Sequence, residues 1–174
     1  MSNKQKLDNT KLLDFLAQID NELDMKITLV AVGGTAMTLL NGKSSTRDVD
    51  FTIPSEFFDK FQDAINGVPH GFEIQCWRDG LVFSNILPDD YLKRSKPIKT
   101  KMKNITLAAL HPVDIVVTKI GRLHPRDIED IETCIKKFKL KKEKILQRAK
   151  EMDYVGSEES YEINLGRVIK EYFS

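Results

Sequence analysis

A short, unbroken apolar run at residues 27–32 is cut off by Gly33-Gly34. Twelve residues beyond Thr35 a second segment alternates, with Val49, Phe51 and Ile53 set against Asp48, Asp50 and Thr52. The first run is rich in β-branched residues and too short for a buried helix, so it reads as a strand covered on both faces. The second places apolar side chains on one face of a strand and polar ones on the other. A glycine turn and a short helix over residues 35–40 join them. Two such strands commit the chain to a sheet with covered faces.

Helical periods surround this unit. Leu12, Leu13, Phe15, Leu16 and Ile19 line one face of a helix that Asn9 or Thr10 caps and that ends near Leu23. Pro54 stops the alternating strand, and Ser55 caps a helix over residues 56–66. Residues 72–77 and 81–87 flank Arg78-Asp79-Gly80 and predict a hairpin. A basic loop follows, then a short strand at residues 105–107. Helices are expected at 111–123, 125–138, 142–152 and 160–172. The fold class is therefore α/β (α+β), a sheet with helices packed on one face. Residues 1–174 form a single domain, of which 110–174 is a helical C-terminal part.

Composition narrows the function classes. With 41% hydrophobic and 30% charged residues, the chain reads as soluble and globular. No apolar run reaches the ~18 residues of a membrane span. The polar residues 1–9 carry no secretory signal. Cys76 and Cys134 match no zinc spacing and are expected as reduced thiols in the cytoplasm. Net charge is +1, but residues 93–103 hold six basic side chains and no acid, and residues 136–150 hold eight against the single acid Glu143. Such clusters attract a polyanion or form a solvated surface, and the pattern alone leaves both readings open.

The chemistry concentrates at Gly33-Gly34-Thr35 and Asp48-Val49-Asp50. Carboxylates at i and i+2 on a strand share a face and repel each other, and a hard cation relieves that repulsion. Magnesium suits a site of one or two carboxylates completed by substrate phosphates. Backbone N–H groups after the glycines can meet an anion, Thr35 adds a hydroxyl, and Arg47 can pair with a carboxylate or a phosphate. The bland alternative is an exposed strand edge with two solvated acids. Downstream, Lys119 sits in an otherwise apolar helix and needs a partner or a path to solvent. Asp127 and Asp130 share a helical face, although Asp127 in a first turn is also an ordinary capping acid. His70, His111 and His124 read as turn or cap residues. Trp77 and Phe83 are candidates either for base stacking or for the core. No Ser-His-Asp or Cys-His arrangement supports nucleophilic catalysis.

Gly33-Gly34-Thr35-Ala36, then Thr46-Arg47-Asp48-Val49-Asp50-Phe51, then His111-Pro112 through Lys119, then Arg126-Asp127-Ile128-Glu129-Asp130-Ile131 resemble, in order, the four motifs of AbiEii-like and MenT-like nucleotidyltransferases. The resemblance implies a mixed sheet of the nucleotidyltransferase fold. It implies Mg²⁺ or Mn²⁺ held by Asp48 and Asp50, and a nucleoside triphosphate at Gly33, Gly34, Thr35 and Arg47. It also implies phosphate contact by Lys119 and catalytic support from Asp127. The acceptor it implies is a tRNA end, another RNA or a protein hydroxyl. Such proteins are often toxins paired with an antitoxin protein. Many members of the wider fold carry a third carboxylate beside the D-x-D strand. The natural place here, residues 82–87, has no acid, so Glu73, Asp89 and Asp90 are the substitutes. Without one of them, a binding module is expected rather than an enzyme.

Overall fold

A computed structural model of the chain describes residues 5–174. The first four residues of the polar N-terminal stretch lie outside the described residues. Helix α1 (Asn9–Glu22) buries Leu12, Phe15, Leu16 and Ile19. Its cap is Asp8, one residue before the expected Asn9: the Asp8 carboxylate accepts the Lys11 N–H at 2.9 Å. Strand β1 (Ile27–Ala31) runs into α2 (Gly33–Leu39), and β2 (Val49–Ile53) into α3 (Ser55–Asn66). Then follow β3 (Ile74–Arg78), β4 (Leu81–Val82), β5 (Asn85–Ile86), α4 (Tyr91–Arg94), β6 (Lys96–Pro97) and β7 (Ile105–Ala109). The C-terminal part holds α5 (Pro112–Ile120), α6 (Pro125–Lys137), α7 (Lys142–Glu151), β8 (Asp153–Tyr154) and α8 (Glu158–Phe173).

The main sheet has five strands in the order β3-β2-β1-β7-β6. It is mixed: β1 lies antiparallel to β2 and parallel to β7, β2 and β3 are parallel, and β6 is antiparallel to β7. Every residue of β2 is buried, including Asp50 and Thr52 on its polar face. Helices therefore cover both faces of the sheet rather than the one expected. On the apolar side Phe51 meets Phe61 of α3 edge to face, with centroids 5.7 Å apart. On the other side α2 and α5 pack together, and α5 carries α6, α7 and α8 around it.

The expected hairpin does not form. β3 gives its ladder to β2, in parallel, and residues 81–87 break in two at Phe83, whose φ is 55°. β4 and β5 pair with each other, and β5 pairs with β8, making a second sheet of three strands. Asp79 and Gly80 do turn the chain, at φ 52° and 82°. That turn is tied to β2, because the Asp79 N–H reaches the Ile53 carbonyl at 2.9 Å and the Gly80 N–H the Thr52 hydroxyl at 3.0 Å. β3 keeps an open edge at the side of the main sheet, but the positive-φ residues Asp79, Gly80 and Phe83 turn residues 81–87 away from it and into the second sheet. β8 falls in the gap between the helices expected at 142–152 and 160–172 and adds a strand to the C-terminal part expected as helical.

Two buried acids brace the frame. The Asp20 carboxylate accepts N–H groups from Lys103, Asn104 and Ile105 at 2.9, 2.8 and 2.7 Å, fixing the start of β7. Asp114 in α5 is fully buried and takes a forked pair of hydrogen bonds from Arg148 of α7. Arg148 also reaches Asp90 at 2.9 Å and Glu151 at 3.1 Å. Burial pushes the Asp114 carboxyl upward, and the Arg148 guanidinium opposes that push. Among the described residues no helix is long and apolar enough to cross a membrane.

Candidate active site

Asp48 and Asp50 reach their places through the backbone. The Thr35 hydroxyl donates to the Asp48 carbonyl at 3.1 Å and accepts the Asp50 N–H at 2.9 Å. Thr46 donates to the same Asp48 carbonyl at 2.8 Å, and the Val32 N–H reaches the Asp50 carbonyl at 3.0 Å. The glycine bend is thus stitched to the acidic strand. Gly33 has φ +55°, and a Cβ there would stand 3.4 Å from Asp50 Oδ2. A Cβ on Gly34 would come within 2.8 Å of the Thr46 hydroxyl. The first glycine is needed for its backbone conformation, the second for close approach.

A cavity of about 620 Å³ opens over this strand, with Gly34, Arg47, Asp48 and Asp50 in its lining. Burial and the neighbouring Asp48 push the Asp50 carboxyl up to about 7, against the pull of Lys119 and Arg122, and Glu73 adds to the push. Negative charge is therefore crowded at this point, the electrostatic condition that a divalent cation relieves. Among the described residues no three acidic, histidine or cysteine side chains are gathered to hold an ion on their own. Two carboxylates, with phosphate oxygens and water, match the donor set that magnesium takes.

The parallel pairing of β2 with β3 brings a third acid to the cavity. Val49 lies opposite Ile74 and Asp50 opposite Gln75, and the Glu73 carbonyl accepts the Val49 N–H at 3.2 Å. Gln75 shares the face of Asp50 by strand pairing, and Glu73 and Asp48 stand one residue before the two strands. Glu73 and Gln75 both line the cavity. Asp89 and Asp90 do not line it, and Asp90 is engaged by Arg148.

The opposite wall is a chain of alternating charges. Lys43 lies 3.0 Å from Asp130, which lies 3.0 Å from Lys119, which lies 3.3 Å from Asp127. Arg122 closes the chain with two bonds of 2.8 Å to the Asp127 carboxylate. Asp127 also accepts the His124 N–H at 3.0 Å, at the start of α6. Burial works against the ionised Asp127, but the Arg122 and Lys119 charges win and hold its carboxyl at about 2. Phe83 stands between the walls, with the Arg122 guanidinium 4.6 Å above its ring and Trp77 edge-on at 5.0 Å.

A family profile described as "Nucleotidyltransferase of unknown function (DUF6036)" matches residues 10–172. The chain belongs to this nucleotidyltransferase family. An antigenic nucleotidyltransferase-like protein from Paracoccidioides brasiliensis superposes with a TM-score of 0.55 at 15% identity, over 97% of this chain and 91% of its own. ANT(2″)-Ia, solved with adenylyl-2″-tobramycin, superposes with a TM-score of 0.51 at 14% identity, over 94% of this chain and 97% of its own. No curated protein matches the sequence. The family and the mixed sheet agree with the resemblance read from the four motifs, at the level of the superfamily.

Within this nucleotidyltransferase, the structure gathers Gly34, Arg47, Asp48, Asp50, Lys119 and Asp127 on one cavity. Gly33 lies just behind, against Asp50. Thr35 is fully buried with its hydroxyl spent on the strand backbone, so it holds the acids rather than facing the cavity. His111 caps α5, its Nδ1 accepting the Val113 N–H at 3.1 Å. Lys43, Gln75 and Arg122 were not singled out in the sequence. Arg122 had a local signal, three residues after Lys119 and five before Asp127. Lys43 had none, since its partner Asp130 is 87 residues away.

Proposed function

We propose that this family member is a magnesium- or manganese-dependent enzyme. It moves a nucleoside monophosphate from a nucleoside triphosphate to an acceptor hydroxyl and releases pyrophosphate. The observation that carries this is the single cavity joining Asp48, Asp50 and Glu73 to the Lys119, Arg122 and Asp127 wall. Asp48 and Asp50 would hold the cation, which when bound neutralises phosphate charge and polarises the α-phosphorus. Arg47, with Gly34 beside it, faces the nucleotide. Glu73 takes the proton from the acceptor hydroxyl as its oxygen bonds to the α-phosphorus and the α–β bridging bond breaks. The basic wall meets the charge that grows on departing pyrophosphate. Glu73 on the cavity supports this reading over an inactive binding module.

The rim bears on the acceptor. Lys6, Arg47 and Arg126 are exposed there, so a polycationic aminoglycoside, the acceptor moiety in the ANT(2″)-Ia complex, would be repelled. Arg126 and Lys137 lie eleven residues apart on α6, within about 20° of the same face, and Lys137 leads on to the lysines of residues 136–144. This favours a polyanion, and RNA, including tRNA, fits it. A toxin role of the AbiEii-like or MenT-like kind, with an antitoxin as partner, rests on the motif order alone.

The test is incubation of the protein with each labelled nucleoside triphosphate, magnesium, and total RNA or total protein. A labelled RNA and released pyrophosphate are expected. Both should be lost in Asp48→Asn and on chelation, and restored by manganese. Absence of pyrophosphate release with every combination sinks the enzyme reading. Growth arrest on induction, absent in Asp48→Asn, is the check on the toxin role.

A further inference from the structure

The structure assigns phosphate contact to Lys43 and Arg122, with Lys119 as the residue that positions them; this rests on the triphosphate-binding reading above. The resemblance gave the phosphate role to Lys119, but its side chain is 4% exposed and its Nζ lies between Asp127 at 3.3 Å and Asp130 at 3.0 Å. An ammonium has three N–H donors, and two are taken by these carboxylates. Its charge is balanced on the spot.

The ends of the charge chain differ. Arg122 is 43% exposed and Lys43 30% exposed, and both line the cavity with Asp48 and Asp50. Arg122 spends Nε–H and one Nη2–H on Asp127, which leaves three of its five donors for a ligand. Its plane is already set by the Asp127 fork and the Phe83 ring, so little side-chain freedom remains to be lost on binding. Among the described residues Lys43 spends its ammonium on Asp130 alone, and it comes from the loop between α2 and β2. Five charges in series, three positive and two negative, leave an excess of one positive charge. The exposure places that excess at the two ends. Lys119 sits at the centre, where its ammonium bridges Asp127 and Asp130, offsets their mutual repulsion and so sets where the cations they hold stand.

The experiment measures binding of inorganic tripolyphosphate with magnesium to the full chain by calorimetry, alongside urea unfolding. Arg122→Ala and Lys43→Ala are each expected to weaken tripolyphosphate by about tenfold to a hundredfold, the scale of a lost charge-assisted hydrogen bond. Lys43→Ala should leave the urea midpoint in place. Lys119→Met should weaken binding in the wild-type background, with Lys119→Arg restoring most of it. It should add nothing further in a protein that already carries Lys43→Ala and Arg122→Ala. Full additivity of Lys119→Met in that background would overturn the assignment, because a direct contact is lost whatever its neighbours are. Undiminished binding by Lys43→Ala and Arg122→Ala would overturn it as well. If the wild-type protein binds no tripolyphosphate, the triphosphate reading falls with it.

Discussion

The hydroxyl of Thr35 accepts the backbone N–H of Asp50 at 2.9 Å and donates to the carbonyl of Asp48 at 3.1 Å. One buried side chain thereby serves both ends of the D-x-D unit. Thr35→Val keeps the shape and removes both bonds, leaving the buried Asp50 N–H without its acceptor while the Asp48 carbonyl keeps the Thr46 hydroxyl. A loss of about 1–3 kcal/mol in urea unfolding is expected, with weaker manganese binding in a calorimetric titration. Thr35→Ser should keep both properties close to wild type. Equal losses in the two variants would contradict the hydrogen-bond account.

The glycines offer a contrast. In Gly34→Ala the new methyl would press on the Thr46 hydroxyl at 2.8 Å, and Thr46 is buried and holds Asp48. A loss of about 1–3 kcal/mol, the usual cost of overpacking, is expected together with reduced nucleotidyl transfer. Gly166 lies within α8 with open space where its Cβ would be. Gly166→Ala should stabilise the protein by about 0.8–1 kcal/mol and leave activity unchanged, measured by thermal unfolding and pyrophosphate release.

Arg148 and Asp114 make a buried pair whose halves fail differently from the whole. Arg148→Met takes both hydrogen bonds from the Asp114 carboxyl, which is 0% exposed, and leaves it the longer contact with Arg94 at 3.8 Å. The expected loss is about 3–5 kcal/mol by urea unfolding. Combining it with Asp114→Leu should recover much of that loss, since an apolar pair needs no solvation. If the double variant is less stable than Arg148→Met alone, desolvation is not what the pair is offsetting.

His111 sets an acid limit. Burial first, and then the charges of Arg94, Lys96 and Arg148, push its imidazole from 6.5 down to about 4. The folded form holds its proton less tightly than the unfolded chain does. Its contribution is therefore present above pH 6.5 and is lost as pH falls from there towards 4. Urea midpoints taken across that window should fall for the wild type and fall less for His111→Asn, which can still accept the Val113 N–H. Parallel slopes would show that other groups govern the acid response.

Much of this was legible in local patterns. The run at residues 27–32 became β1, the alternation at 48–53 became β2, and the helices of residues 111–138 began at their prolines, because burial period and φ restriction act over a few residues. The hairpin expected over residues 72–87 fails to form for the opposite reason. Asp79-Gly80 does turn, but β3 takes the distant β2 as its partner, and the bend at Phe83 sends residues 81–87 into a second sheet. That outcome carried Glu73 to the cavity and left Asp89 and Asp90 elsewhere.

Residue order by itself determined that two carboxylates would share a strand face beside a glycine bend, since alternation is a property of any extended chain. Only the tertiary structure decided which groups stand opposite them. Lys43 meets Asp130 across 87 residues, and Arg122 turns towards Phe83, through packing of α6 on α5 and of β4 beside β2 and β3. Charge pairing of that kind depends on distance in space, which spacing along the chain does not encode.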